Sequence, residues 1–474
     1  MDFKKVLKQS IAARIALVLA ALDFLAAVYI AVQAARYEGM IVLLASLPVI
    51  LLVTALLVWC TLKNAKLSLA LEILLAIVLI VALVLVGKIN SLSDAISRTV
   101  QYEEVQLVAL ATSDITEEDD FSSYVLGYTN SDDGAYERSS EILEENGKKV
   151  KESHPYASTD ELYEDLLSGT TELMVLTSNT RSDLSLIDEE YESKIKVILA
   201  KKYELEAVAI KPVDISTEPF TVYLCGADLS SGQDITSTGR GDVNILLTVN
   251  PNTAKVNLQV IPRDTFVYIP CRGGSSKLSY SGWWGGVQSS IDSIEDKFGV
   301  EINYYAKINF NGLVDLVDAL GGVTVYSHYT YTAGEYSFVK GENYVSGEKA
   351  LMFVRARKML PENELSRGQH QMELIKGIFR KFAENPSYSS AMAVLNGLEN
   401  NFVTNIPEND FGKVFELVVK LLPELETMEN HTISGTYQWH YDEVREGYYQ
   451  YYFYPDDGEI EKVRARIEAV LEGE

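Results

Sequence analysis

Cysteine is scarce, with three in 474 residues. Cys60 lies in an apolar run, where it reads as packing, and Cys225 and Cys271 stand alone near the ends of two expected strands. Solitary cysteines exclude a zinc-site spacing and a dense disulfide framework. A Cys225–Cys271 disulfide and two separate thiols both stay open. Positive charge is also short: 41 Lys and Arg face 67 Asp and Glu, for a net charge of −26. That balance excludes generic nucleic-acid binding, which needs a basic face to neutralise phosphates. Any anion site must therefore be local.

What the chain does have is apolar length at its start. Three runs cover about Ile11–Ala35, Met40–Leu62 and Leu67–Val86. Each approaches the ~20 residues a helix needs to cross the hydrocarbon core. One short run would suit a signal peptide; three argue for a permanent anchor. Lys4, Lys5, Lys8 and Arg14 precede the first run, and Lys63 and Lys66 separate the second from the third. The positive-inside tendency makes both places cytoplasmic, so three crossings put the rest of the chain outside the cell. Charge divides the same way, with +4 over residues 1–100 and −30 over the remainder. Asp23 and Glu72 fall in or near hydrocarbon, where an acid is either functional or paired within a bundle.

The expected organisation is a three-helix anchor over 1–88, a polar helical stalk over 89–104, a small α/β accessory domain over 105–212, and a catalytic domain over 218–474. In the accessory part, "VQLVAL" and "ELMVLT" read as strands, and "DDGAYERSSEILEENGKKV" has helical spacing. "STDELYEDLLSG" opens on capping residues and stops at Gly169. "TNSDDG" and "TSNTRSDLS" have loop composition, and "KPVDISTEPF" reads as a linker. Beyond it, "FTVYLCGAD" is a strand and "DVNILLTVNPNTAKVNLQVIPRD" a hairpin. "SIDSIEDKFG", "FNGLVDLVDALGG", "SGEKALMFV" and "LSRGQHQMELIKGIFRKFAEN" are helices. Alternating strands and helices of this kind imply an α/β fold, with an α/β/α layered domain around a mixed central sheet.

Charged residues gather at the ends of these elements. Asp228 follows a strand, Arg240 and Asp242 precede one, and Arg263 and Asp264 follow another. Such ends are where loops converge on one crevice. Arg355 and Arg357, two apart in an expected extended segment, would face one side. Arg367 and Gln371, four apart, would share a helix face. Guanidinium stays charged and forks onto phosphate, while Asp228 and Asp242 suit a hard cation such as Mg²⁺. Spacing alone leaves ordinary Asp–Arg ion pairs open beside a phosphate site.

At these residues the chain resembles the LytR-CpsA-Psr family of cell-wall glycopolymer ligases. The likeness rests on "GAD" (226–228), "RGD" (240–242), "IPRDT" (261–265), "DLVDALGGV" (315–323), "RAR" (355–357) and "SRGQHQ" (366–371), from about Phe220 onward. The three-span anchor with an intervening domain looks most like the capsule-associated CpsA branch. The resemblance implies transfer of a capsular polysaccharide or other wall glycopolymer from a polyprenyl-pyrophosphate carrier to peptidoglycan through a phosphodiester. It implies pyrophosphate binding by Arg240, Arg263, Lys277, Arg355, Arg357, Arg367 and Gln371. Arg263, Asp264, Arg355 and Arg357 would be catalytic, and Asp264 would deprotonate the acceptor or orient Arg263. Asp228 and Asp242 would hold Mg²⁺, with Mn²⁺ as a substitute. The carrier's tail would lie in an apolar pocket beside "LVDLVDALGGV" and "MELIKGIF". Partners would be the lipid-linked glycan, peptidoglycan, the membrane and capsule assembly proteins. Hydrolysis of the same carrier and a non-catalytic lipid-binding regulator are the competing readings.

Two positions depart from the family pattern. Glu364 stands where an Asp is usual and can still pair with Arg367; His370 stands where an Arg is usual and gives up a permanent charge. The tyrosine-rich "GTYQWHYDEVREGYYQYYFYP" stacks on sugars or forms a strand under a terminal helix, and Trp283 and Trp284 are expected to be exposed for glycan contact.

Overall fold

The computed structural model describes residues 10–473 except 39, 131, 133, 189, 210, 230–232, 388–393, 395–396, 399, 428–430 and 445–448. Three helices open the described residues: α1 (Ile11–Glu38), α2 (Met40–Lys63) and α3 (Ala65–Ile96). All three are long and apolar enough to cross a membrane. Their outward positions are apolar, including Leu22, Leu52, Trp59 and Ile77, as a helix facing lipid requires. Asp23 and Glu72 instead turn inward and lie against each other. The expected stalk is not a separate element. Its first part continues α3 to Ile96, and Tyr102–Glu104 already belong to a strand.

Arg98–Asn405 and Val419–Glu474 form one compact unit holding both the accessory and the catalytic parts. The accessory part is a five-stranded sheet in the order β3-β2-β4-β1-β5. Its strands are β1 (Tyr102–Leu110), β2 (Val125–Thr129), β3 (Glu152–Tyr156), β4 (Leu173–Leu176) and β5 (Ile195–Glu204). Helices α4 (Ala135–Glu145), α5 (Thr159–Ser168), α6 (Ser178–Ile187) and the single turn α7 (Tyr191–Lys194) connect them. α5 starts on the Ser158 side chain and stops at Gly169 in the left-handed region, as its sequence implies. "TSNTRSDLS" is a helix rather than a loop, because Thr177 and Thr180 form a reciprocal capping box. "TNSDDG" is not all surface either. Asp132 is buried, accepting from the Thr177 hydroxyl and from Asn179 at 3.1 Å.

The central sheet of the catalytic part has the order β16-β11-β6-β7-β8. Its strands are β6 (Phe220–Asp228), β7 (Arg240–Asn250), β8 (Lys255–Val260), β11 (Tyr304–Asn309) and β16 (Phe402–Thr404). β11 runs parallel to β6, and the other neighbours are antiparallel, so the sheet is mixed. The smaller strands β9 (Phe266–Ile269) and β10 (Gly274–Lys277) form a hairpin of their own. Alternation sends Tyr223, Cys225 and Leu246 to one face, where they pack with α8 (Leu278–Phe298) and the C-terminal helix (Glu459–Glu472). The opposite face, with Leu224, Val243 and Ile245, fronts a cavity. Across it stand α9 (Phe310–Ala319), α10 (Gly347–Arg355) and α11 (Glu364–Ala383). Short hairpins β12 (Val323–Ser327) with β15 (Gly341–Val345), and β13 (Tyr331–Ala333) with β14 (Tyr336–Phe338), back these helices.

The layers are therefore helix, sheet, helix, as the sequence pattern implies. Cys225 and Cys271 are both free thiols, the first buried and the second exposed.

Candidate functional site

A cavity of about 540 Å³ lies between the sheet and the α9–α11 layer. Much of its wall is apolar, including Leu313 and Leu316 from α9 and Leu374, Ile375 and Ile378 from α11. Both stretches that looked apolar in sequence thus turn a face to empty space. The same lining also holds a cationic group, Arg240, Arg263, Arg355, Arg357 and Arg367, together with Asp242 and Gln371. The structure brings these residues together around one cavity, from the ends of β7 and β8, from α10 and α11, and from the segment between those helices.

Carboxylates hold the arginines in place. Arg240 donates to Asp228 and, at 2.7 Å, to Asp242. Asp242 also accepts from Arg263 at 2.7 Å, and its backbone carbonyl accepts from Arg367 at 3.3 Å. Burial pushes the Asp242 carboxyl up, but Arg263, Arg240 and Arg367 outweigh it and hold the group well below the usual carboxylate range. Asp228 shifts the other way. Burial and the charge on Asp242 raise it against the pull of Arg240 and Arg355.

Glu364 is a hub that spacing alone did not reveal. Only 2% of its side chain is exposed, and it meets Arg357, Arg367 at 2.5 Å and Arg263 at 3.8 Å. The Glu in place of the usual Asp reaches all three guanidiniums, not Arg367 alone. Asp264 is buried and binds Lys277 at 3.0 Å and Arg357 at 3.5 Å. Burial raises its carboxyl, yet Lys277, Arg263 and Arg357 together bring it below the usual range. Such a group is a weak base, and the carboxylate hydrogen-bonded to Arg263 is Asp242 rather than Asp264. Lys277 sits at the start of α8, engaged with Asp264 and outside the cavity lining.

Two expectations need correction, and His370 finds its place. Arg355 and Arg357 do not share an extended segment. Arg355 closes α10 and places its guanidinium 4.7 Å from the Phe310 ring centre, while Arg357 lies beyond the Ala356 cap. Trp283 is not exposed but 4% accessible, stacked on Tyr280 at 4.7 Å and lying 5.8 Å from the Arg240 guanidinium. Its indole therefore backs an arginine of the site, a cation–π contact that "SYSGWWGG" did not betray; Trp284 is half-buried. His370 is fully buried among Phe353, Tyr331 and Tyr329, with Nδ1 3.2 Å from the Phe353 carbonyl. Burial pulls it down to about 4, so the ring is neutral near pH 7 and gives up the charge an arginine would carry there.

Lys277 and the five arginines meet four carboxylates, Asp228, Asp242, Asp264 and Glu364, leaving a local excess of two positive charges. The ion pairs are real, yet they do not neutralise the cluster. Polyanion binding suits such an excess, with roughly one negative charge per bridging phosphate. The chain matches the model of the LytR_cpsA_psr family over residues 177–469, well over half its length. The chain belongs to this family.

Its relatives include the polyisoprenyl-teichoic acid–peptidoglycan teichoic acid transferase TagU of Bacillus licheniformis, 37% identical over 199 residues. That match spans 42% of this chain and 64% of the relative. TagU of Bacillus mycoides is 31% identical over 271 residues, 56% of this chain and 85% of the relative. The crystal structure of Bacillus subtilis TagU aligns over 54% of this chain and 97% of its own, at 28% identity and a TM-score of 0.41. The LytR-CpsA-Psr match begins within the accessory part, at Thr177, and carries through the whole arginine cluster.

Proposed function

We propose that the protein is a membrane-anchored transferase that moves a wall glycopolymer from a polyprenyl-pyrophosphate carrier to peptidoglycan. One observation carries this reading: a single cavity of about 540 Å³ is lined both by apolar side chains and by a cluster of arginines with surplus positive charge. A single ligand with an apolar tail and a charged diphosphate head matches both parts of that lining. TagU relatives, named for polyisoprenyl-linked teichoic acid and peptidoglycan, support the same substrate classes. The three-span anchor and the accessory domain favour capsular polysaccharide as the glycopolymer, in the manner of the CpsA branch, with capsule assembly proteins as partners. The basic residues around the spans favour a cytoplasmic N-terminus and an extracellular site.

In this reading the tail lies against Leu313, Leu316, Leu374 and Ile378, and the diphosphate meets Arg240, Arg263, Arg355, Arg357, Arg367 and Gln371. A peptidoglycan hydroxyl attacks the glycan-side phosphorus. The new P–O bond forms as the bridging P–O bond breaks, polyprenyl phosphate departs, and the hydroxyl proton passes to solvent or a nearby base. Phosphoryl transfer asks mainly for charge neutralisation and in-line placement. Fixed guanidiniums supply the first without reorganising. Asp242 and Glu364 hold those guanidiniums, and Asp264 sets Lys277 and Arg357.

Asp228 and Asp242 fit a divalent cation. They are close enough for one charge to raise the other's carboxyl, a strain that a cation relieves. Among the described residues no third His, Cys, Asp or Glu joins them, so the remaining ligands would be phosphate oxygens and water. Mg²⁺, or Mn²⁺, would supply further charge neutralisation there.

The test combines the purified full-length protein with a polyprenyl-pyrophosphate-linked glycan, Mg²⁺ and peptidoglycan fragments. Joined glycan–peptidoglycan is the expected product. Free glycan phosphate alone points to hydrolysis, and tight carrier binding with no product points to a lipid-binding regulator. Arg357→Ala, with its fold checked by circular dichroism, is expected to lower kcat by at least about 100-fold; unchanged turnover removes Arg357 from the site.

A further inference from the structure

The ribbon of β17 (Gly435–Tyr441) and β18 (Tyr449–Pro455) carries aromatic side chains that the arginine site does not use. Its register pairs Tyr437 with Phe453, Trp439 with Tyr451 and Tyr441 with Tyr449. Strand alternation puts all six rings on one face. The inner pair is covered, Phe453 completely and Tyr437 in part. The outer four are open: Trp439 59%, Tyr441 66%, Tyr449 54% and Tyr451 42% exposed. The rings nevertheless order one another. Trp439 stacks on Tyr449 at 5.7 Å and 14°, and Tyr437 on Tyr451 at 5.0 Å and 17°. Single exposed aromatics are ordinary, but a contiguous ordered row of four marks a binding surface.

The row begins at the arginine site. The Phe453 N–H donates to the Asp264 carbonyl at 2.8 Å. Tyr437 lies within electrostatic reach of Glu364, Asp264 and Arg357, and among the described residues its buried hydroxyl has no hydrogen-bond partner. From Tyr437 to Tyr441 the face runs outward for roughly 13 Å. Arg357 lines the apolar cavity on one side and contacts Asp264 on the other, and neither Asp264 nor Tyr437 lines that cavity. The arginines therefore stand between the cavity and the aromatic row.

We propose that this face docks the sugar rings of the acceptor, a peptidoglycan glycan strand, and presents its hydroxyl to the diphosphate. The proposal rests on the transferase reading above. In-line displacement needs the acceptor to arrive opposite the leaving group, and the aromatic row lies on the side away from the cavity. Pyranose rings offer flat C–H faces, which stack on aromatic rings, and their hydroxyls suit the phenols at the ring edges. No charged side chain belongs to the row. The exposed acidic neighbours Glu443, Asp456 and Asp457 flank the ribbon, which opposes docking on an anionic bilayer.

The experiment uses the full-length protein in detergent and uncrosslinked peptidoglycan glycan strands, without any donor. Calorimetry gives the Kd of the parent, of Trp439→Ala/Tyr451→Ala and of Trp439→Phe. The double variant is expected to weaken binding by about tenfold or more, and the phenylalanine variant by far less, since its ring remains. In the transfer assay, KM for the acceptor rises in the double variant while KM for the lipid donor stays put. If the double variant misfolds by circular dichroism, Tyr441→Ser/Tyr449→Ser at the open end replaces it. An unchanged Kd overturns the proposal. So does loss of binding to phosphatidylglycerol vesicles, or of self-association in sedimentation, with glycan affinity intact. Glycan binding in a protein that transfers nothing overturns only the transferase reading.

Discussion

His370 separates what a sequence position advertises from what its surroundings allow. Beside Arg367 in a basic motif, it invites a role in anion binding. The helix instead turns it inward, to a stack on Phe353 with ring centres 4.1 Å apart. Charge there has no compensating partner, so burial lowers the imidazole from 6.5 to about 4. The consequence for stability has a definite sign. Above pH 6.5 the ring is neutral folded and unfolded and costs nothing. As pH falls from 6.5 toward about 4, the unfolded chain takes up a proton that the folded one refuses, and stability drops. The loss approaches roughly 3 kcal/mol near the lower end. Chemical unfolding at pH 7.5 and 5 is expected to give a clear gap for the parent and a much smaller one for His370→Phe, which keeps the stack without the titrating ring. Equal gaps would return His370 to the surface. Arg367, three positions earlier on the same helix, lies with Gln371 on the cavity wall as their four-residue spacing implies, and pairs with Glu364.

Elements were legible where periodicity and caps agreed. The α5 stretch "STDELYEDLLSG" announces both ends, and so does the Gly-Gly after α9, where Gly321 and Gly322 take positive φ. Legibility failed where tertiary context decided. "TSNTRSDLS" lacks a clear apolar stripe, and only the Thr177–Thr180 box with the buried Asp132 makes it helical. "SYSGWWGG" offers its tryptophans as exposed, yet α8 begins at Leu278 and bends at Gly285 and Gly286, which leaves Trp283 inside. α11 shows how one helix serves both the arginine cluster and the apolar wall. Its first turns hold Glu364, Arg367 and Gln371, and its later turns line the cavity. Gly377 sets its distance from β12: a Cβ there would come within 2.6 Å of the Thr324 carbonyl. Gly377→Leu is expected to cost about 1–3 kcal/mol through overpacking, read as a fall of several degrees in Tm. It should also raise KM for the lipid-linked donor, because the wall and the arginines ride on the same helix. An unshifted Tm would mean that the helix and β12 separate freely.

At the scale of the molecule, two opposite fields meet. Residues 101–474 carry −30, while the arginine site keeps a small local excess of positive charge. The site is short-ranged, held by buried pairs that salt screens weakly. The body's field is long-ranged, and its reach shrinks from about 30 Å at 0.01 M salt to about 8 Å at 0.15 M. An anionic glycopolymer approaching such a body is repelled until it reaches the arginines, whereas a neutral polysaccharide is not. Salt dependence therefore reports the charge of the natural donor. With an anionic teichoic acid donor, kcat/KM should rise several-fold between 0.01 and 0.15 M salt as the body's repulsion is screened. With a neutral capsular glycan on the same carrier it should stay flat or fall slightly, since only the attraction between diphosphate and arginines is weakened. Parallel titrations of both donors, with kcat followed separately, distinguish approach from chemistry. A matching fall for the two donors would mean that the arginine cluster, not the acidic body, governs encounter.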